Sequence, residues 1–323
     1  MSSAVDDIRE ERLEIRVTRS SADRIYRGAA RSAGAITLIV MVLIFLFLLM
    51  RSLPALRDAR WQFLTESKWN PDGHQFGVFG LMVLTFEIAI VALAIAVPVS
   101  IGASLYITEY APRAVRRALT ALVDLLAAVP SIVYGIWGRG YLEQRLVHTS
   151  QWLAHHLAFI PIFKVTTGNF GGSTFIAGVI VALMVIPICT AVMREVFSQA
   201  PPGEKEGALA LGGTKWGMIR TVVLPFGRGG IIGGSMLGLG RALGETVAVA
   251  IIISPIFDKT IHILQGGGNS ISATIVLRFF ESSPFAQRAL MAAGLALFVV
   301  TLLVNAAASA VVAKSRSGAA TEI

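Results

Sequence analysis

Few residues of this chain can do chemistry, and the most telling pair stands where charge is costly. Arg241 and Glu245 lie four residues apart inside a long apolar, glycine-rich run over residues 229–255. On a helix that spacing puts both side chains on one face, where each lowers the other's cost of leaving water. A charge at mid-bilayer costs at least ~2.5 kcal/mol on insertion scales, so an ionisable group in such a run is read first as functional. Two readings stand for the pair. It can be a structural ion pair. Alternatively, the guanidinium fork can receive an oxyanion such as phosphate through parallel hydrogen bonds, with the carboxylate holding it in place or repelling a more highly charged anion. Asp124, six residues before Pro130 in another apolar run, is a third candidate and can partner Arg241 instead of Glu245. Glu87, near one end of a further run, reads as an interfacial or interhelical hydrogen-bonding group.

Covalent catalysis finds no footing. The sequence holds no HExxH, no GxSxG and no His–carboxylate cluster. His155 and His156 are adjacent and so point to different sides of any helix or strand, which argues against a metal site. The single cysteine, Cys189, lies in an apolar run and excludes an intrachain disulfide. No GxxxxGK string followed by Ser or Thr occurs, and the nearest approach, Gly207 to Gly212, lacks the phosphate-binding lysine. The expectation is therefore a chain without a cofactor of its own, in which any ATP is bound by a partner. Gly234, Gly238 and Gly240 follow no strand and read as close helix packing rather than a dinucleotide fingerprint.

Membrane spans must position these groups. With 54% hydrophobic and 15% charged residues in 323, and a mean hydropathy of +0.69, the composition excludes a soluble domain and predicts an all-α integral membrane protein. Six spans are expected, at about residues 33–50, 79–108, 118–138, 173–193, 229–255 and 289–313. They form one domain over 33–313, flanked by charged tails at 1–32 and 314–323. The first tail lacks the apolar core and cleavage site of a signal peptide, so it is expected to stay on the chain, with residues 6–17 able to form a surface helix. The net charge of +8 does not point to nucleic acid, because the basic residues gather near span ends and are not interleaved with aromatics. Seventeen Lys and Arg fall on the side of both termini and ten on the other, which places both termini in the cytoplasm.

Residues 201–225, PPGEKEGALALGGTKWGMIRTVVLP, form a polar island between two apolar runs. Pro201, Pro202 and Gly203 break the preceding helix, and residues 206–211 re-form one. Gly212 and Gly213 supply left-handed conformations for its end, and Thr214 can cap a second turn. Ala208, Ala210 and the glycines leave a nearly bare face with Glu206 beside it. Such an elbow suits docking by another protein more than catalysis.

This string resembles the EAA loop of ABC-transporter permeases: Glu206, Ala208, Gly212, Val222, Leu224 and Pro225 fall at the pattern's positions. Gly207 departs, standing where the family usually has an alanine, and loosens the helix by about 1 kcal/mol. Four further stretches are similar to the phosphate-specific permease family PstC. They are WNPDGHQFG at Trp69 to Gly77, LLAAVPSIVYGIWG at Leu125 to Gly138, GRALGETVAV at Gly240 to Val249, and GNSISATI at Gly268 to Ile275. Asp124 stands where members often have Glu. The resemblance implies the ABC importer type I permease fold in a bacterial inner membrane. It also implies a second, PstA-like permease subunit, two copies of a PstB-like ATPase on the elbows, and an extracytoplasmic PstS-like phosphate-binding protein. By the same analogy Arg241 and Glu245, with Asp124 as a further candidate, line the phosphate path, and Glu206, Gly207, Ala208, Gly212, Gly213 and Trp216 couple to the ATPase.

Overall fold

The computed structural model describes residues 21–253 and 261–317. The expected surface helix at 6–17 and the middle of the join between the fifth and sixth spans lie outside the described residues. Two compact units divide the chain, residues 1–47 and 48–323. In the first, the described residues belong to helix α1, Ser21–Ala59, and apolar side chains such as Ile36, Val42 and Leu46 are exposed.

Among its described residues, the second unit is mainly helical, with one hairpin and isolated bridges from Ser173 to Gly266 and Gly267. Its main helices are α2 (Phe79–Leu105), α3 (Arg113–Ala128), α4 (Ser131–Trp137), α5 (Glu143–His156) and α6 (Thr174–Ser198). There follow α7 (Pro202–Ala210), α8 (Lys215–Met218), α9 (Arg228–Leu243), α10 (Val247–Ile252), α11 (Ile271–Arg278) and α12 (Pro284–Ser317). Among the described residues, four helices are long and apolar enough to cross a membrane: Asp23–Ala59, Phe79–Tyr110, Thr174–Ser198 and Pro284–Ala310. Two bent pairs bring the number to six if each is one span.

Helix α6 is the centre of the packing. Ile176, Ile180, Val181 and Val185 are fully buried on it, against Ile88, Ala92 and Ala96 of α2 and against α9. Small residues make the approach possible. A Cβ on Gly238 of α9 would fall 2.6 Å from Cys189 Sγ, and one on Gly178 would fall 2.6 Å from Val91 Cβ. Lipid-side helices gain little from apolar burial alone, so close backbone contact across small residues supplies the dispersion attraction instead.

A smaller core joins the end of α1 to the start of α2 and to α12, through Ala55, Ala59, Phe63, Leu81 and Leu290. The stretch WNPDGHQFG closes over it as an antiparallel hairpin, Trp69–Asn70 (β1) with Gln75–Phe76 (β2), Trp69 opposite Phe76. Asn70 Oδ1 accepts from Gly73 N at 3.3 Å within the turn, and Trp69 and Phe76 pack edge to face at 6.2 Å.

Two expected spans are not straight. The third is a pair of helices, Arg113–Ala128 and Ser131–His156, bent by 88°. Pro130 is the cause: it disfavours helix at the residue before it, and Val129 sits at φ −65°, ψ 127°. Past the bend, the helix continues through a wide π turn at Gly138–Leu142 into α5, so the segment expected as an outer loop from residue 139 begins as helix. The second bent pair is Lys215–Phe226 with Arg228–Leu243, at 65°, and the expected fifth span is interrupted again past it. Helix α9 stops at Leu243, and α10 restarts at Val247.

Candidate functional site

The interruption after α9 is where the expected ionic pair sits. Arg241 lies in the last turn of α9, and Glu245 lies in the break. They are not two residues of one continuous helix, yet Arg241 Nη2 still stands 3.4 Å from Glu245 Oε2. The carboxylate side chain is 4% exposed and the guanidinium side chain 44%. A carboxylate buried to that degree costs several kcal/mol unless it is paired and hydrogen-bonded. Both needs are met here, because Glu245 Oε1 accepts from Ala248 N at 3.2 Å and so caps the start of α10. The other end of α10 is held by Arg139, whose Nη1 donates to the carbonyl of Ile252 at 2.5 Å. Helix α10 is thus clamped between a buried anion and a cation, against Gly135 of α4, where a Cβ would meet Ala248 Cα at 3.0 Å.

This arrangement divides the labour of the pair. Glu245 is committed to protein partners. Arg241 makes one contact to it and, among the described residues, no other ion pair or hydrogen bond. A guanidinium has five N–H donors in a planar fork, so the half-exposed side of Arg241 retains the geometry that grips an oxyanion through two oxygens.

Asp124 does not join them. Its ion-pair partner is Arg194 of α6, at 3.7 Å, and its side chain is 57% exposed. The alternative pairing of Asp124 with Arg241 is therefore not the one formed. Arg194 was missed in the sequence because it stands at the end of a span and seventy residues of chain separate it from Asp124. Glu87 accepts from Thr174 Oγ1 at 3.4 Å, the interhelical hydrogen bond expected for it.

The elbow forms as two short helices. Gly212 adopts φ +82°, the left-handed ending that glycine tolerates best, whereas Gly213 is needed for space: a Cβ there would fall 2.5 Å from the Ala208 carbonyl oxygen. Thr214 Oγ1 accepts from Gly217 N at 3.0 Å, the expected cap of α8. Glu206, Gly207, Gly213 and Gly212 are exposed, as are Leu211 at 92% and Trp216 at 58%. Ala208 turns partly inward onto the core.

The elbow is fastened to the far end of the second span by contacts that the sequence does not announce. Lys205 Nζ lies 2.7 Å from Glu109 Oε1, with side chains 19% and 8% exposed. Lys215 Nζ stands 4.6 Å from the centre of the Tyr110 ring, a cation–π contact. Glu109 and Tyr110 both belong to a π turn, Tyr106–Tyr110, that ends the helix begun at Phe79. The elbow and the turn that ends this helix are therefore in direct contact.

A family described as "Binding-protein-dependent transport system inner membrane component" matches residues 96–317. The chain belongs to this family. Its relatives include the phosphate transport system permease protein PstC 2 of Mycobacterium tuberculosis (strain ATCC 25618 / H37Rv). That protein is 43% identical over 297 residues, covering 90% of this chain and 91% of that one. The phosphate transport system permease protein PstC of Haemophilus influenzae is 36% identical over 285 residues, covering 87% and 90%. Among solved structures, a bacterial ABC transporter involved in the import of the acidic polysaccharide alginate superposes with a TM-score of 0.56. At 18% identity it covers 90% of this chain and 99% of its own, and it supports the fold alone. The chain is thus a multi-pass inner-membrane permease component of an ABC transporter with the importer type I fold. The family member works with other subunits. The similarity to permeases named PstC extends over nine-tenths of the length.

Proposed function

We propose that this permease carries inorganic phosphate inward as one of two membrane subunits of an ATP-driven importer. The observation that carries the reading is the alignment to phosphate permeases along 90% of the chain, with a half-exposed, singly paired Arg241 at its interrupted fifth span. Phosphate loses its hydration in a membrane path, and a guanidinium fork replaces part of it with charge-assisted hydrogen bonds. Glu245 fixes that fork and leaves a nearby negative charge that penalises a more highly charged anion. Asp124, held by Arg194, is a further acidic group for the path.

The elbow receives the ATPase. Glu206, Gly207, Ala208, Gly212, Gly213 and Trp216 form its docking surface, with both termini on the same, cytoplasmic side. Closure of a PstB-like ATPase pair pushes the elbow, and the Lys205–Glu109 and Lys215–Tyr110 contacts pass the displacement to α2. A PstS-like binding protein delivers phosphate from the opposite side, and a PstA-like subunit completes the path. Nucleotide on one side and loaded binding protein on the other bias one two-state bundle.

Uptake competition in vesicles containing the assembled complex tests the substrate. Labelled phosphate uptake should be suppressed by phosphate and by its close analogue arsenate, and little by sulfate or molybdate. Suppression by sulfate or molybdate equal to that by phosphate would reassign the path to another oxyanion.

A further inference from the structure

Away from the ionic pair and the elbow, the smaller core leaves an open apolar pocket of about 580 Å³ beside the last turn of α1. Its walls include Leu56, Leu64, Met82, Leu295, Val299 and Val300, and Arg60 and Trp61 also line it. The volume falls within the ~300–1,000 Å³ of ligand sites.

Three observations define what fits it. Met82 lies at the start of α2, whereas Glu109, which touches the elbow, lies at the far end of the same 32-residue span. The pocket is therefore near the membrane face opposite the elbow, and Leu295 to Val300 carry its wall along α12 into the apolar depth. Trp61 is 81% exposed, which suits an indole at the headgroup level. Arg60 is exposed and, among the described residues, has no ion-pair or hydrogen-bonding partner for its guanidinium; the same holds for Arg57 one turn before it. Arg60 also sits at φ +50°, a left-handed conformation that is costly for a residue with a Cβ. Glycine would end α1 more easily, so the cost is borne for the side chain.

We propose that this pocket binds an anionic glycerophospholipid, one acyl chain lying along α12 and the phosphate on Arg60, with Arg57 adding a second positive charge. A long apolar wall, an unpartnered cation at its rim and an interfacial tryptophan match the two ends of such a molecule in order. A peptide occupant would bring backbone polar groups that the walls leave unsatisfied. The site is independent of the transported anion.

The test uses the assembled transporter in nanodiscs of phosphatidylcholine doped with phosphatidylglycerol bearing a photoreactive group at the end of an acyl chain. After irradiation, mass spectrometry should find label concentrated on peptides covering residues 56–64 and 292–300. Arg60→Gln should lower that labelling about tenfold, the loss of one charge-assisted contact. Arg60→Gly should lower it equally while the protein melts at the same or a higher temperature, since glycine relieves the left-handed backbone. That variant separates loss of lipid from loss of fold. Labelling spread evenly along the lipid-facing helices, labelling unchanged in both variants, or cross-linking of these positions to the second permease subunit in place of lipid would each overturn the proposal.

Discussion

Cutting the tie between Lys205 and Glu109 should loosen the elbow by an amount that the geometry sets. At 2.7 Å the gross attraction is about 6 kcal/mol in an effective dielectric of ~20. Both side chains are largely withdrawn from water, and desolvation of each ion offsets several kcal/mol of that. An exposed pair nets ~0–1 kcal/mol, and a fully buried pair costs ~3–5 kcal/mol when one partner is removed. With the lysine still 19% exposed, a coupling of about 2 kcal/mol follows from these limits. A double-mutant cycle of Lys205→Met and Glu109→Gln, read by hydrogen exchange of the amides at residues 202–218, measures it. The single variants should raise local opening, and the cycle should return a coupling of roughly thirtyfold in the opening constant. In vesicles the same single variants should let ATP hydrolysis continue while uptake falls. Additivity of the two changes within ~0.5 kcal/mol would show that the ion pair carries no force, and the route from elbow to α2 would have to be abandoned.

The glycines give a contrast that separates packing from propensity. Gly238→Ala drives a methyl to 2.6 Å from Cys189 Sγ and 2.7 Å from Val185 Cγ1, so it should destabilise by about 1–3 kcal/mol, seen as a lower melting temperature in detergent. Gly207→Ala meets nothing within 4 Å and should stabilise α7 by roughly 0.5–1 kcal/mol, seen as slower exchange at residues 205–210. On the elbow surface, Leu211→Glu removes an apolar contact that is 92% exposed and disturbs no packing, so the subunit should fold normally yet lose its ATPase on size-exclusion chromatography. Co-elution at wild-type stoichiometry would count against docking there.

Local chemistry made part of this structure legible beforehand. The left-handed Gly212 and the Thr214 cap follow from residue type and spacing, and both are present. Long apolar runs located the helices of the spans at Phe79, Thr174 and Pro284 to within a few residues. What escaped were breaks inside apolar runs and pairings between distant residues. Gly244, Glu245 and Thr246 interrupt the fifth span, but hydropathy averages over three residues and does not register Glu245 capping α10 or Arg139 holding its other end. Pro130 was visible, but its 88° consequence was not, because a proline in a span can also kink gently when neighbours re-satisfy the freed carbonyls. Lys205 with Glu109 and Arg194 with Asp124 are pairs across 96 and 70 positions, for which no periodicity exists.

Each stretch that resembles the phosphate permeases marks irregular backbone. WNPDGHQFG is the hairpin, with His74 at φ +53°. LLAAVPSIVYGIWG is the sharp bend, and GRALGETVAV the interrupted span. GNSISATI begins α11, where Ser270 Oγ accepts from Ala273 N at 3.1 Å and Thr85 Oγ1 accepts from Ile271 N at 3.1 Å. Regular helix tolerates many sequences, whereas a break needs particular residues to satisfy the groups it frees. Motif strings therefore marked the irregular backbone more accurately than span prediction did.

The role proposed for Arg241 is to replace the water that phosphate loses. Arg241→Gln removes the charge and leaves an amide N–H donor on a shorter side chain, while Glu245 keeps its bond from Ala248 N, so the complex should assemble with its ATPase in place. Labelled phosphate uptake, measured in vesicles containing the complete transporter, ATP and loaded binding protein, should then fall to background. Uptake at the wild-type rate in those vesicles would refute that role for Arg241.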